Sequence, residues 1–312
     1  MAPALVGVQR VQGGRDHRIA DLHARWTCRR SRFACLRAGE RCRCAFGLGR
    51  CRRFARVGID RGHRLRGVLV MRSAAAFGLD PRRVIPAACA FEMLHAATLV
   101  HDDLPCIDDS DLRRGRPSCH MAFDEHTALL SADALIIAAF GQLATLGPAG
   151  GPERALRVIA EFAEYTGAAG LIGGEQADII GEELLPDLEL LRYIHENKTA
   201  KLICAACRAG AILAGASELE ISTVSDYGMT LGLLFQVTDD ILDVVGDEDI
   251  LGKPTGADAD AGKQTYPDVI GLEGAREEAR KLAERAVQIA AELPGAVEFF
   301  QSMAELVVIR DR

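Results

Sequence analysis

Two clusters of aspartates in this 312-residue sequence each follow an apolar run. The first lies in LVHDDLPCIDDSDLRRGRPS, residues 99–118, and the second in FQVTDDILD, residues 235–243. Asp239 and Asp243 are four residues apart, so a helix would place both on one face, where like charges repel. A solvated helix end explains the clusters poorly, because carboxylates are stabilised at helix N-termini and both clusters end their helices. The chemistry they favour is Mg²⁺ binding, which needs one or two carboxylates plus a substrate phosphate.

Basic side chains are placed to bind the anion that such a site would hold. No lysine occurs before residue 198, and three of the few that follow lie in or near polar, glycine-rich or aspartate-rich segments. Any one of these cations alone is as well explained as an ordinary surface charge. As a set beside the carboxylates, they predict a site that holds a diphosphate between Mg²⁺ and cationic side chains. The set comprises Arg113, Arg114, Lys198, Lys253 and Lys263.

The overall composition excludes some classes of protein. The net charge of −7 argues against general nucleic-acid binding. No apolar run approaches the roughly 18 residues of a membrane span, and the N-terminus lacks the order of a signal peptide. We therefore expect a cytoplasmic protein with no nucleic-acid partner and no stable membrane insertion.

The first sixty residues differ from the rest of the chain. Residues 1–60 are rich in arginine and cysteine and show weak apolar periodicity, whereas amphipathic patterns begin at about residue 66. We therefore divide the chain into an atypical segment, 1–60, and a domain, 61–312.

Three explanations of the atypical segment remain open. Cys42, Cys44 and Cys51 could bind zinc, but their spacing fits no common zinc motif. A basic interaction tail is the second explanation. The third, which we favour, is out-of-frame translation of a leucine-bearing helix, because Cys28, Cys35 and Cys42 recur every seven residues. Resequencing the DNA of codons 1 to 66 would contradict out-of-frame translation if the reading frame proved intact and homologues shared this amino-acid sequence.

The rest of the chain has the apolar spacing of helices and almost no strand pattern. Six helical stretches are predicted, at residues 84–103, 126–146, 152–181, 187–215, 221–247 and 273–293. A glycine- and aspartate-rich stretch, 246–268, is the one long loop, and such loops are often functional. The sequence thus predicts an all-α protein built as a single large helical bundle.

These motifs together resemble the trans-isoprenyl diphosphate synthases, the polyprenyl synthetase family. DDLPCIDDSDLRRGRP is similar to the family's first aspartate-rich motif in its longer DDxxxxD form, and FQVTDDILD to its second. GGEQADI, KTAKL and LGKPTGADADAGKQTYP are similar to further family blocks, and the resemblance covers residues 62–312. It implies a helical bundle around a central cavity, three Mg²⁺ ions bound with diphosphate, and a homodimer.

The resemblance also implies a role for each site residue. The metal ligands and their support would be Asp102, Asp103, Asp108, Asp109, Asp239 and Asp243, with Asp240 in the outer shell. The allylic diphosphate would contact Arg113, Lys198, Thr199, Gln236 and Lys253, and Lys263 would help to close the loop. Isopentenyl diphosphate would contact Arg66, His95 and Arg114. Of these residues, Asp102, Asp108, Asp239, Lys198 and Lys253 would be catalytic.

One block departs from the family pattern. RGHRLRG, residues 61–67, stands where the family has GGKRxRP, with His63 in place of the lysine and Gly67 in place of the proline. Histidine is mostly neutral at neutral pH, so this end of the isopentenyl diphosphate site has lost a cation.

The implied reaction condenses isopentenyl diphosphate with an allylic diphosphate. Ala97 and Thr98, one helical turn or about 5.4 Å before Asp102, would set product length. Both are small, which favours geranylgeranyl diphosphate over farnesyl diphosphate, unless they merely pack against a neighbouring helix. A class I terpene cyclase and a non-catalytic partner subunit are the rival functions. The cyclase would carry a different second motif, and the partner subunit would lack one of the two.

Overall fold

The structure is a computed structural model that describes residues 64–245 and 263–309. All of these residues lie within one compact unit, Cys51–Arg312. The predictions made for residues 1–60, and the role given to Lys253, lie outside the described residues.

Helices form almost all of the described structure, so the prediction of an all-α protein is confirmed. In chain order they are α1 (Leu65–Ala76), α2 (Ile85–Asp102), α3 (Cys119–Ala122), α4 (Glu125–Leu143), α5 (Gly147–Gly150), α6 (Pro152–Thr166), α7 (Leu171–Gly181), α8 (Leu188–Ile194), α9 (Lys201–Ala214), α10 (Glu218–Val245), α11 (Tyr266–Ile270), α12 (Leu272–Ala291) and α13 (Val297–Ile309). A 3₁₀ turn, Pro81–Val84, precedes α2, and a π-helix, His195–Ala200, joins α8 to α9.

Helix α2 carries the first aspartate motif at its C-terminal end, as predicted. Pro86 lies in its first turn, where a missing amide proton costs nothing. Its apolar face is buried, and the Phe91 ring packs edge-on against Phe162 with centroids 5.1 Å apart. The helix ends at Asp102, so the aspartates emerge from the core at a fixed point.

The π-helix is held by close contacts on two sides. A Cβ on Gly174 of α7 would lie 2.2 Å from the backbone nitrogen of Lys198. A Cβ on Gly232 of α10 would lie 2.4 Å from the Ala200 Cα. Only glycine permits both approaches, because real Cβ atoms do not come this near. The backbone of the π-helix, a form often found at functional sites, is thereby fixed between α7 and α10.

Two features differ from the sequence-based expectation. Residues 152–181 do not form one long helix but two, α6 and α7, with Gly167 and Gly170 between them. A Cβ on Gly170 would lie 2.0 Å from the Tyr165 carbonyl oxygen, so the chain turns where only glycine fits. The second feature is a two-residue hairpin, β1 (Leu112–Arg113) and β2 (Arg116–Pro117), which lies within the first motif.

Two described helical stretches, Pro81–Asp102 and Glu125–Gly150, are long and apolar enough to cross a membrane by length and composition. The expectation that no apolar run approaches a membrane span is therefore wrong. Half of the first stretch's apolar window is buried in protein, as in an ordinary core helix, but only 22% of the second. The absence of stable membrane insertion stays a prediction.

Candidate active site

The loop after α2 folds back on itself and brings two aspartates together. The Asp108 amide donates to the Asp102 carbonyl at 2.9 Å, and the Asp109 amide donates to the Leu104 carbonyl at 3.1 Å. Burial, the Glu175 carboxylate and the Asp108 carboxylate raise the pKa of Asp102 to about 7, against the opposing charge of Lys198. Asp102 therefore lies in a pocket of negative charge, as a cation ligand should.

Asp103 points to a different partner from Asp102. It is 2% exposed, and its Oδ1 accepts hydrogen bonds from Arg113 Nε at 2.9 Å and Nη2 at 2.5 Å. Arg113 lies at this position because it belongs to the β1–β2 hairpin. The two residues of the hairpin turn, Arg114 and Gly115, have positive φ, as a type I′ turn requires. In this arrangement Asp103 orients the guanidinium that was predicted to contact the allylic diphosphate.

Lys198 projects from the π-helix into a group of carboxylates. Its Nζ lies 2.5 Å from Asp178 Oδ2 and 2.9 Å from Glu175 Oε2, both on α7. Burial favours the neutral amine, but Asp178, Glu175 and Asp102 outweigh it and raise the pKa of Lys198. The ammonium thus stays charged at the centre of the site.

Sequence reasoning missed Glu175 and Asp178. The two residues are three apart in the quoted block GGEQADI, so the helical spacing placed them on one face. Glu182, just beyond α7, belongs to the same group, since burial together with Asp178 and Asp108 raises its pKa. The signal was present in the sequence, but carboxylates at this spacing usually mark a solvated face.

Lys263 joins the site from the segment that precedes α11. Its Nζ lies 2.9 Å from Asp108 Oδ1. The neighbouring Gln264 anchors this segment: its Oε1 accepts from the Asp187 amide at 2.9 Å, and its Nε2 donates to the Gly181 carbonyl at 3.0 Å. The predicted loop lysine therefore lies against the first aspartate motif.

A chain of hydrogen bonds connects the second motif to the π-helix. Thr199 Oγ1 donates to Gln236 Oε1 at 2.9 Å, and Gln236 Nε2 donates to Asp240 Oδ1 at 3.2 Å. Asp240 is buried, and its Oδ2 accepts from the Tyr266 amide at 2.9 Å. His195 also faces Asp240, and burial lowers its pKa to about 3, so it is neutral. Asp240 thus fixes α10, the π-helix and α11 relative to one another.

The two outer aspartates of the second motif differ in exposure. Asp239 is half-buried and lies near enough to Arg66 to favour its charged form. Asp243, on the same face one turn later, is 2% exposed. Asp239 therefore lies near Arg66, and its metal role stays a prediction.

Asp109 is separated from the other motif aspartates. It is exposed, has φ of 46°, and lines an outer cleft with Cys106, Asp111 and His120. The metal role predicted for it remains untested by this geometry.

The residues predicted for isopentenyl diphosphate, which are Arg66, His95 and Arg114, lie close enough to influence one another's charge. Burial lowers the pKa of Arg66 to about 10, although Glu92 and Asp239 favour its charged form. Burial, together with Arg66 and Arg114, holds the pKa of His95 well below its usual value, so His95 is neutral at pH 7. These three side chains offer hydrogen-bond donors to an anion.

Ala97 and Thr98 occupy different surroundings. Ala97 is fully buried and belongs to an apolar cluster with Ala128 and Ala132 of α4. Thr98 is half-buried, and its hydroxyl donates to the His95 carbonyl at 3.0 Å. Small side chains therefore let α2 and α4 pack closely just below Asp102, and Ala97 lies in this contact.

The donor set fits Mg²⁺ bound together with a phosphate. No group of three His, Cys, Asp or Glu side chains stands ready to hold a metal within residues 64–245 and 263–309. Burial, Glu175 and Asp108 raise the pKa of Asp102, and a divalent cation bound there would offset both the burial and the neighbouring carboxylates. Mg²⁺ commonly takes one or two carboxylates and completes its shell with water and substrate phosphate.

A family model described as polyprenyl synthetase matches residues 51–302, and the chain belongs to this family. It is 45% identical over 232 residues to geranylgeranyl pyrophosphate synthase 12, chloroplastic, of Arabidopsis thaliana. It is 39% identical over 251 residues to the farnesyl diphosphate synthase of Bacillus subtilis (strain 168). The first match covers 73% of this chain but 64% of the plant protein, and the second covers 80% and 85%.

Solved structures share the fold. A geranyltransferase from Helicobacter pylori, complexed with magnesium and isoprenyl diphosphate, superposes with a TM-score of 0.73 at 31% identity. The match covers 82% of this chain and 85% of that one. An FPP/GFPP synthase from Zymomonas mobilis gives 0.72 at 32% identity, covering 82% and 86%. The resemblance stated from the motifs is thus confirmed for the family and for the helical bundle.

The raised pKa of Asp102 predicts a pH dependence of Mg²⁺ binding. Below about pH 7 a proton occupies this carboxyl and competes with the cation, so affinity should fall about tenfold per pH unit. At one fixed Mg²⁺ concentration, the rise in unfolding temperature should be larger at about pH 8 than at about pH 6. Differential scanning calorimetry measures this rise.

Glu175→Gln supplies the matched variant, because it removes a charge that raises the pKa of Asp102. It should move the midpoint of the pH dependence downward. Glu284→Gln, which alters an exposed carboxylate on α12, should leave the midpoint unchanged. Equal stabilisation by Mg²⁺ at both pH values would contradict the assignment.

Proposed function

We propose that the protein is a Mg²⁺-dependent prenyltransferase that condenses isopentenyl diphosphate with an allylic diphosphate into a short-chain all-trans prenyl diphosphate. One observation carries the proposal: a group of carboxylates around one lysine lies near a separate pair of arginines, which supports two anion sites of different chemistry. Carboxylates surround Lys198, whereas Arg66 and Arg114 are cationic side chains near the neutral His95, and Asp239 lies close enough to Arg66 to favour its charged form. A reaction of two diphosphates needs both.

The carboxylate side binds the allylic diphosphate. When bound, Mg²⁺ neutralises charge on the leaving diphosphate and lowers the barrier to breaking the allylic C–O bond. Lys198 and Arg113 add fixed positive charge at the same end, and their carboxylate partners hold them in place. Because these charges are set before substrate arrives, little reorganisation is needed when the bond breaks.

The cationic side holds isopentenyl diphosphate. Arg66, His95 and Arg114 donate hydrogen bonds to its diphosphate, which leaves the double bond free to attack the allylic cation. A new C–C bond forms, and the released diphosphate takes the proton that is lost. The apolar residues below the motifs, including Ala97, exclude water, which would otherwise trap the cation.

The rival functions are less well supported. A class I terpene cyclase needs no second diphosphate site, and the arginines Arg66 and Arg114 support such a site here. A non-catalytic partner subunit would normally have lost one aspartate motif, and here Asp102, Asp108 and Asp239 are all present. We also propose that the protein acts in the cytoplasm.

The direct test is to incubate the protein with Mg²⁺, farnesyl diphosphate and isopentenyl diphosphate and to size the products by mass spectrometry. Product should form only when isopentenyl diphosphate is present. Asp239→Asn should lower kcat by about a hundredfold or more, because it removes charge where the leaving group departs. Asp226→Asn, on an exposed turn of the same helix, should leave kcat unchanged. Product from farnesyl diphosphate alone would instead identify a cyclase.

We propose geranylgeranyl diphosphate as the product. Thr98 is small and half-buried one turn before Asp102, which supports room for a longer chain below the first motif, whereas Ala97 packs against Ala128 and Ala132 of α4. Plant relatives named geranylgeranyl synthases support this length, whereas the Bacillus relative is named for the shorter product. Farnesyl diphosphate is the alternative.

Ala97→Tyr should shorten the product, because a large ring one turn before Asp102 would block the growing chain. Thr98→Phe tests the same point one residue later, should the first variant fold poorly. Thr98→Val keeps the volume and loses only the hydroxyl, so its products should match the wild type. Chromatography of the dephosphorylated products measures the lengths, and unchanged products from both aromatic variants would refute the idea.

We propose that the protein is a homodimer and that a second copy covers one face of α4. Leu129, Leu130 and Ile137 on this helix are 46%, 62% and 72% exposed. Exposing a group of large apolar side chains to water is unfavourable, and such groups often mark a protein interface. Analytical ultracentrifugation should give twice the chain mass, and a single-chain mass would exclude the dimer.

A further inference from the structure

Helix α1 begins without a cap of its own. Its N-cap residue, Arg64, makes no side-chain capping hydrogen bond, and its first turn contains no acidic residue. The first amides of a helix have no partner within the helix, and they carry the positive end of the helix dipole. Such amides are satisfied by water or by acceptors from other parts of the protein.

Glu92 of α2 supplies such an acceptor. Its Oε1 accepts a hydrogen bond from the Gly67 amide at 2.8 Å, across 25 residues of sequence. Gly67 is buried, and a Cβ there would lie 3.2 Å from the Ala88 carbonyl and 3.3 Å from Glu92 Cγ. The glycine thus allows α1 and α2 to approach closely enough for the bond to form.

The residue beside this bond is Arg66. Its Nε is buried and has no hydrogen-bond partner among the residues that the structure describes. A buried donor without an acceptor is costly, and a bound anion would satisfy it. Glu92 is also the carboxylate that most favours the charged form of Arg66.

We propose that Glu92 is a positioning residue, which caps α1 through Gly67 and so holds Arg66 toward the diphosphate of isopentenyl diphosphate. This inference rests on the proposed function. The related family motif has proline at position 67, which has no N–H and cannot make this bond. In the family motif the proline ring restricts the backbone at this position. In this chain the hydrogen bond from the Gly67 amide to Glu92 restrains it instead.

The test is the binding of isopentenyl diphosphate, measured by titration calorimetry, together with the KM of each substrate. Glu92→Ala should weaken this binding about fivefold or more, the effect of losing one charge-assisted hydrogen bond. The KM of the allylic substrate and kcat should change less than about twofold, because the carboxylate side is untouched. Glu92→Gln keeps an acceptor oxygen and should restore most of the binding.

Gly67→Pro supplies a second background, because it removes the amide donor and its ring presses on Glu92 Cγ, so the bond to Glu92 is lost. Glu92→Ala should then have no further effect on binding, so the two changes should be non-additive. The inference about Glu92 would be overturned if Glu92→Ala weakened binding equally in the wild-type and Gly67→Pro backgrounds. Equal changes in the KM values of both substrates would also overturn it, and neither result would contradict the proposed function. A wild-type protein that does not bind isopentenyl diphosphate would overturn the proposed function as well.

Discussion

The whole site depends on the crowding of carboxylates around Lys198. Asp178 and Glu175 pair with one ammonium, and burial, Glu175 and Asp108 raise the pKa of the nearby Asp102 to about 7. Like charges at this density destabilise a folded protein unless cations offset them. The fold retains them, which is understandable if the site exists to bind divalent cations and a diphosphate.

The helices hold this unfavourable cluster together by packing. Glycines at 174 and 232 let α7 and α10 close on the π-helix from two sides, so Lys198 cannot move away from its carboxylates. Asp240 adds a second constraint by joining α10, the π-helix and α11 through hydrogen bonds. A fixed arrangement of charges is what electrostatic catalysis requires, since it need not reorganise during the reaction.

The sequence predicted the helices that carry the motifs, because α2 and α10 have clear apolar periodicity that ends in aspartates. It did not predict the break between α6 and α7, since the periodicity continues through Gly167 and Gly170. Nor did it predict the partners of Lys198. Glu175 and Asp178 look like a solvated face until α7 packs against the π-helix, and that contact depends on Gly174. The capping of α1 by Glu92 was equally invisible, because it joins residues 25 apart.

The central claim is that the carboxylates and a diphosphate bind Mg²⁺ together. Calorimetric titration of inorganic pyrophosphate into the protein, with and without Mg²⁺, tests it most directly. The carboxylate crowding predicts that pyrophosphate binds at least about tenfold more tightly with Mg²⁺, as expected for two ligands that favour each other. Equal affinity under both conditions would contradict the account, because the cationic side chains alone would then hold the anion.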